Sequence, residues 1–148
     1  MKIVESFFYS FLLIVIFLIE IFINTLINND ILKFYPFFVI LIFLGSIQFR
    51  QKNVLPIFIS GLFYDLFLST YFLGIYSIIF ILIVMISNFI TSKVNTSLIS
   101  LFFSVLIGMF LYNLPQYLVY EFDYLISNLI FGTMTSYFLV LVLYRVLR

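Results

Sequence analysis

The chain has 148 residues, 66% of them hydrophobic and 9% charged, with a formal net charge of +1 and a mean hydropathy of +1.31. Soluble domains carry about a quarter charged residues, so water is not the solvent for most of this surface. Cysteine, histidine, tryptophan and alanine are absent, which excludes Ser-His-Asp and Cys-His catalysis, the usual zinc sites and disulfides, while the near-neutral charge argues against an electrostatic search for nucleic acid.

The composition predicts an all-α integral membrane protein, one transmembrane helical domain over residues 1–148, with each crossing needing about 20 mostly apolar residues. The opening MKIVESFFYSFLLIVIFLIEIF has a lysine and then an apolar run too long for a signal-peptide core, without a small-x-small cleavage site. It reads as a retained first span over residues 6–28. Within it Ser6, Ser10, Phe17, Glu20, Asn24 and Asn28 recur at spacings of three, four or seven, which places them on one stripe of the helix. A short second span is expected over 35–49 and a third over 54–70, with Pro36 and Pro56 in their first turns, where a missing N–H costs little. The third carries Gly61, Asp65 and Ser69 on one face. The fourth, over 72–92, follows almost at once.

A polar turn at Asn95-Thr96-Ser97 leads to a fifth span over 98–119, in which Pro115 predicts a kink near the end. The sixth is expected over 124–146. Ser100, Ser104 and Gly108 on the fifth, and Asn128, Gly132 and Ser136 on the sixth, recur every four residues. Such small-xxx-small faces let helix backbones approach, either each other or the span of a second protein. The tyrosines and phenylalanines read mostly as lipid-facing or interfacial residues.

Six spans put Lys2, Arg50, Lys52, Lys93, Arg145 and Arg148 on one side and only Lys33 on the other. Because basic residues concentrate in cytoplasmic loops, both termini are expected in the cytoplasm. Asp30, Glu121 and Asp123 then lie outside. At about 1.5 Å of rise per residue, Glu20, Asn24, Asp65, Asn113, Gln116 and Asn128 all fall in the outer half of the bilayer. Ionisable groups at that depth face a bundle interior. They are expected to form one network, either a site for a small polar ligand or coupling proton, or hydrogen-bond glue between helices, with Lys33 as the nearest counter-ion.

The stretch FYPFFVILIFL at 34–44, the basic turn at Arg50 and Lys52, and GLFYDLFLSTYFLGIYSI at 61–78 resemble the rod shape-determining protein MreD family. In that family a helix opening with Pro precedes a G-x-x-x-D helix, a short turn and Leu-Gly at the head of the next helix. Pro36, Gly61, Asp65, Leu73 and Gly74 match this pattern, and Ser69-Thr70-Tyr71-Phe72 replaces its usual glycine-rich turn. The resemblance implies a non-catalytic scaffold, without cofactor or metal, in the bacterial cytoplasmic membrane. Its partners would be MreC and, through it, MreB, a SEDS-type glycan polymerase and a class B penicillin-binding protein. The family's fold is also similar to the substrate-binding subunits of energy-coupling-factor vitamin transporters.

Two alternatives stay open. A vitamin-importer subunit would share the six-helix plan, with Ser6 and Ser10 in place of an alanine-x-x-x-alanine docking face. An intramembrane enzyme would need paired catalytic groups, for which Glu20 with Asp65 is the available pair.

Overall fold

The computed structural model describes residues 2–27, 33–47, 49–68, 73–94, 97–118 and 122–146, and the helices are α1 (Lys2–Ile27), α2 (Pro36–Ser46), α3 (Val54–Leu68), α4 (Ile75–Val94), α5 (Leu98–Tyr112) and α6 (Phe122–Val146). Single 3-10 turns, Gln51–Asn53 and Leu114–Leu118, precede α3 and follow α5. No strand occurs among the described residues.

Apolar periodicity decides which helices are peripheral. On α1, Ser10, Leu13, Phe17 and Glu20 are buried at spacings of three and four, while Phe7, Phe8, Phe11, Leu18 and Phe22 point outward. Such a helix lies at the rim, with one stripe on the bundle and the rest facing hydrocarbon. By contrast α2 is apolar all round, and Phe37, Phe38, Val39, Leu41, Ile42 and Phe43 are all buried. It is the central helix. The others form an arc around it in the order α1, α3, α4, α5, α6, each packed on the next, and α2 contacts α1, α4, α5 and α6. Among the described residues no extended packing joins α6 back to α1, so the arc is open there.

Close helix approach depends on glycine. A Cβ on Gly61 of α3 would collide with the Ser77 backbone of α4, and one on Gly45 of α2 would stand 2.7 Å from the Val84 carbonyl oxygen of α4. Gly108 instead meets side-chain atoms of Ile42 and Phe38, and Gly132 meets the end of Met109 and the Tyr35 ring. Between these contacts the core is aromatic. Tyr64 sits 4.6 Å from Phe17, 4.3 Å from Tyr76 and 5.2 Å from Phe80, ring centre to ring centre.

Among the described residues three helices are long and apolar enough to cross a membrane: Ser6–Ile27, Ile75–Val94 and Ile126–Val146. The six expected helices are all present among the described residues, but α2 has 11 residues and α3 and α5 have 15 each. These cover about 16 and 22 Å against a hydrocarbon core of about 30 Å. The second span, expected over 35–49, is helical only from Pro36 to Ser46. The fifth, expected to 119 with a kink at Pro115, ends at Tyr112 instead. A proline at 115 has no N–H to give and its ring would strike the carbonyl of Leu111, so the α-helix stops and a 3-10 turn begins. Asn113 closes it with its N–H on the Met109 carbonyl at 3.1 Å. The fourth helix starts at Ile75, not 72, because Gly74 takes a positive φ of 106° that ends regular helix at its own position.

The glycine contacts give a graded expectation. Gly61→Ala forces helix backbones apart and should destabilise by about 2–3 kcal/mol. Gly132→Ala displaces the flexible end of Met109 and nudges the Tyr35 ring, with no backbone in the way, and should cost less, about 1 kcal/mol. Unfolding in mixed micelles checks the ranking, and equal losses would show that α3 and α4 are not held at backbone contact.

Candidate functional site

Glu20, Asp65, Asn113 and Asn128 are buried towards one end of the bundle, where the ends of α1, α3 and α5 meet the starts of α2, α4 and α6. Helix starts present N–H groups without intrahelical partners, and water is not there to take them. The residue preceding α2 is Tyr35, whose side chain makes no cap hydrogen bond. A carboxyl from another helix does this instead. Oε2 of Glu20 accepts the Phe37 N–H at 2.9 Å, and Oε1 accepts the Tyr112 hydroxyl at 2.8 Å. Glu20 is 4% exposed, so the α2 start is capped from α1 inside the protein.

One turn further along α1, Asn24 performs a related task. Residues 33–35 lie outside any helix, so backbone groups there need partners from elsewhere. The Asn24 amide group donates to the Phe34 carbonyl at 2.8 Å and accepts the Phe34 N–H at 2.9 Å, in the manner of a neighbouring strand. Side chains of α1 at i and i+4 thus satisfy the non-helical entry to α2.

Asp65 repeats the device on the opposite flank. Its Oδ2 accepts the Gly74 N–H at 2.8 Å and its Oδ1 the Tyr76 N–H at 3.1 Å, and Asp65 is 3% exposed. Gly74 opens α4, its carbonyl accepting the Ile78 N–H at 3.1 Å, yet glycine has no side chain with which to cap. The carboxyl on α3 supplies what Gly74 lacks. One helical turn earlier Gly61 brings the α3 backbone against Ser77, which sets Asp65 at the right height.

The two acids are held separately, each on its own helix start, and the donors on their oxygens are backbone N–H groups and a tyrosine hydroxyl. The Tyr64 ring stands edge-on to that of Tyr112, centres 5.9 Å apart. Across the same layer the Tyr35 hydroxyl donates to Asn128 Oδ1 at 2.7 Å, tying α2 to α6. Asn113 is buried and turns its amide nitrogen to the Met109 carbonyl of its own helix at 3.0 Å. Asn113 Oδ1 and Asn128 Nδ2 have no partner. Gln116 is half-buried at the rim.

The remaining residues singled out from the sequence fall as follows. Pro36 is the first residue of α2, and Leu73 is exposed beside Gly74. Ser100, Ser104 and Ser136 are each at most 1% exposed, and Gly108 and Gly132 meet α2, α5 and the residue before α2. These small-residue faces point into the bundle. Ser10 is also turned inward, its hydroxyl donating to the Ser6 carbonyl at 2.9 Å. Asn28 and Ser69 lie outside the described residues.

The tyrosines need a correction. Tyr35, Tyr64, Tyr76 and Tyr112 are buried in the core, not arranged as an interfacial belt. A hydroxyl that can reach a carboxyl or amide makes a buried tyrosine tolerable. The available signal was Tyr112 beside Asn113, and Tyr64 beside Asp65, in otherwise apolar helices.

Taken with the apolar outer faces, this architecture is an all-helical bundle of the kind that suits a membrane, and its buried acids satisfy helix starts. Comparison with protein-family models, with curated proteins and with solved structures gives no match.

The capping geometry separates charge from hydrogen bonding. Asp65→Ala strands two amides and should destabilise by about 2–4 kcal/mol. Asp65→Asn keeps one acceptor but turns an NH₂ towards an N–H, and should cost about 1–2 kcal/mol. Hydrogen exchange at Gly74 and Tyr76 should rise in both variants relative to the middle of α4. Unchanged exchange and stability in Asp65→Ala would dismiss the cap.

Proposed function

We propose that the protein is a non-catalytic membrane scaffold of the bacterial cell-elongation machinery, of the kind the MreD family provides. It would cross the cytoplasmic membrane six times with both termini in the cytoplasm. Its direct partner would be the single-span protein MreC, which links it to MreB, a SEDS-type glycan polymerase and a class B penicillin-binding protein.

The observation that carries this reading is the physical role of the matched residues. Gly61, Asp65 and Gly74 act as one device, close approach plus cap, and Pro36 starts the second helix capped from α1. A pattern of residues whose function is to fix helix positions suits a protein that presents surfaces to others. The acids are occupied with backbone donors, which favours a structural part over turnover for Glu20 and Asp65. The vitamin-importer alternative would need Ser6 and Ser10 as an outward docking face, and the inward position of Ser10 speaks against it.

Depletion in a rod-shaped host, followed by microscopy, tests the proposal. Cells should widen and round, and the MreC-type partner should lose co-purification with the polymerase. Complementation by Asp65→Asn should be substantial and by Gly61→Leu poor. Unchanged rod width on depletion, or reporter fusions placing the termini on opposite sides, would end this reading.

A further inference from the structure

The opening in the arc between α1 and α6 contains an apolar groove of about 270 Å³. Leu12 and Leu13 of α1, Ile40 and Leu44 of α2, and Leu143 of α6 line it. Its position follows from α2. Every residue of this central helix is buried except Pro36, Ile40 and Leu44, which are half-buried and spaced four apart, so the one accessible stripe of α2 runs along the opening.

Chemistry at the mouth identifies an occupant. Tyr9 and Asn53 also line the groove, and the Nζ of Lys52 stands 5.7 Å from the centre of the Tyr9 ring. The groove lies at the end of the bundle opposite the capped helix starts. Among the residues whose side chains are described, that end carries Arg50, Lys52, Lys93 and Arg145. An apolar slot that opens sideways into hydrocarbon and has a cation at its mouth matches a molecule with an apolar tail and an anionic head.

We propose that this groove holds an acyl chain of an anionic phospholipid whose phosphate is met by Lys52. A polar metabolite would find almost nothing to bond with on the walls. A transmembrane helix, about 10–12 Å across with its side chains, can lie over the mouth but does not fit within such a volume. The inference needs only that the protein is embedded in a bilayer, and it stands or falls apart from the scaffold reading.

The test uses the full chain in nanodiscs or released from detergent into native mass spectrometry, titrated with phosphatidylglycerol and with phosphatidylcholine of the same chains. The wild-type protein should retain the anionic lipid about fivefold or more over the zwitterionic one, since a basic side chain near the headgroup contributes roughly that factor. Lys52→Gln should remove most of this preference. Lys93→Gln, at the same end but on the exposed side of α4, should leave it intact. Leu44→Trp fills the groove and should lower retention of both lipids about tenfold. Equal losses in Lys52→Gln and Lys93→Gln would reduce the effect to diffuse attraction and overturn the site. So would wild-type retention in a folded Leu44→Trp protein, or displacement by that substitution of a co-purifying protein span instead of lipid.

Discussion

A backbone amide in hydrocarbon has no water to turn to, and most of this architecture follows from how that requirement is met. A full-length span satisfies it within its own helix. Here α2 and α4 begin inside the protein, and their first amides would be stranded. Glu20, Asn24 and Asp65 each place side-chain oxygens on backbone donors that belong to another segment. Removing Glu20 or Asp65 leaves a buried donor without a partner, a loss of about 1–3 kcal/mol for a single unsatisfied group.

This requirement also explains why a short helix can occupy the centre. Once its ends are supplied by neighbours, α2 need not span the hydrocarbon. Its eleven residues pack against α1, α4, α5 and α6, with only Pro36, Ile40 and Leu44 half-buried. The central position then demands small residues on the helices that surround it. Gly108 receives Ile42 and Phe38, and Gly132 receives Tyr35, while Gly45 on α2 itself admits the α4 backbone. Helices in lipid associate through such shape matching, because apolar side chains gain nothing by leaving an apolar solvent.

Much of the helical plan was legible in the sequence because apolar runs interrupted by polar turns have few other readings. Helix α1 and helix α6 end within two residues of expectation, and the stripe through Ser10, Phe17 and Glu20 is the buried stripe. What could not be read was the difference between a span and a shorter helix. Phe49 is as apolar as Phe43, and only the packing shows that α2 ends at Ser46. Likewise Asp65 and Gly61 could be assigned to one face, but the acceptor of that face, an uncapped helix start at Gly74, depends on a positive φ that a glycine permits without announcing. The buried tyrosines were missed for a related reason. Tyrosine is at home at an interface and in a core with a polar contact, and sequence spacing does not distinguish Tyr112 donating to Glu20 from a tyrosine at the lipid surface.

The arrangement divides the molecule into two ends with different physics. At the capped end, side chains from α1, α3, α5 and α6 bond to α2, α4 or each other, so a shift of any helix would break hydrogen bonds in a medium that offers no replacements. At the opposite end the helices are held chiefly by packing, the arc stays open beside α2, and basic residues gather. A helix bundle fixed at one end and open at the other keeps its outer faces in register while leaving one seam accessible. Rigidity matters to any binding between spans in lipid, because contact energies there are small and a surface that must first be ordered forfeits part of them. The buried acids therefore act on external recognition indirectly, by holding the helix positions on which a matching surface depends.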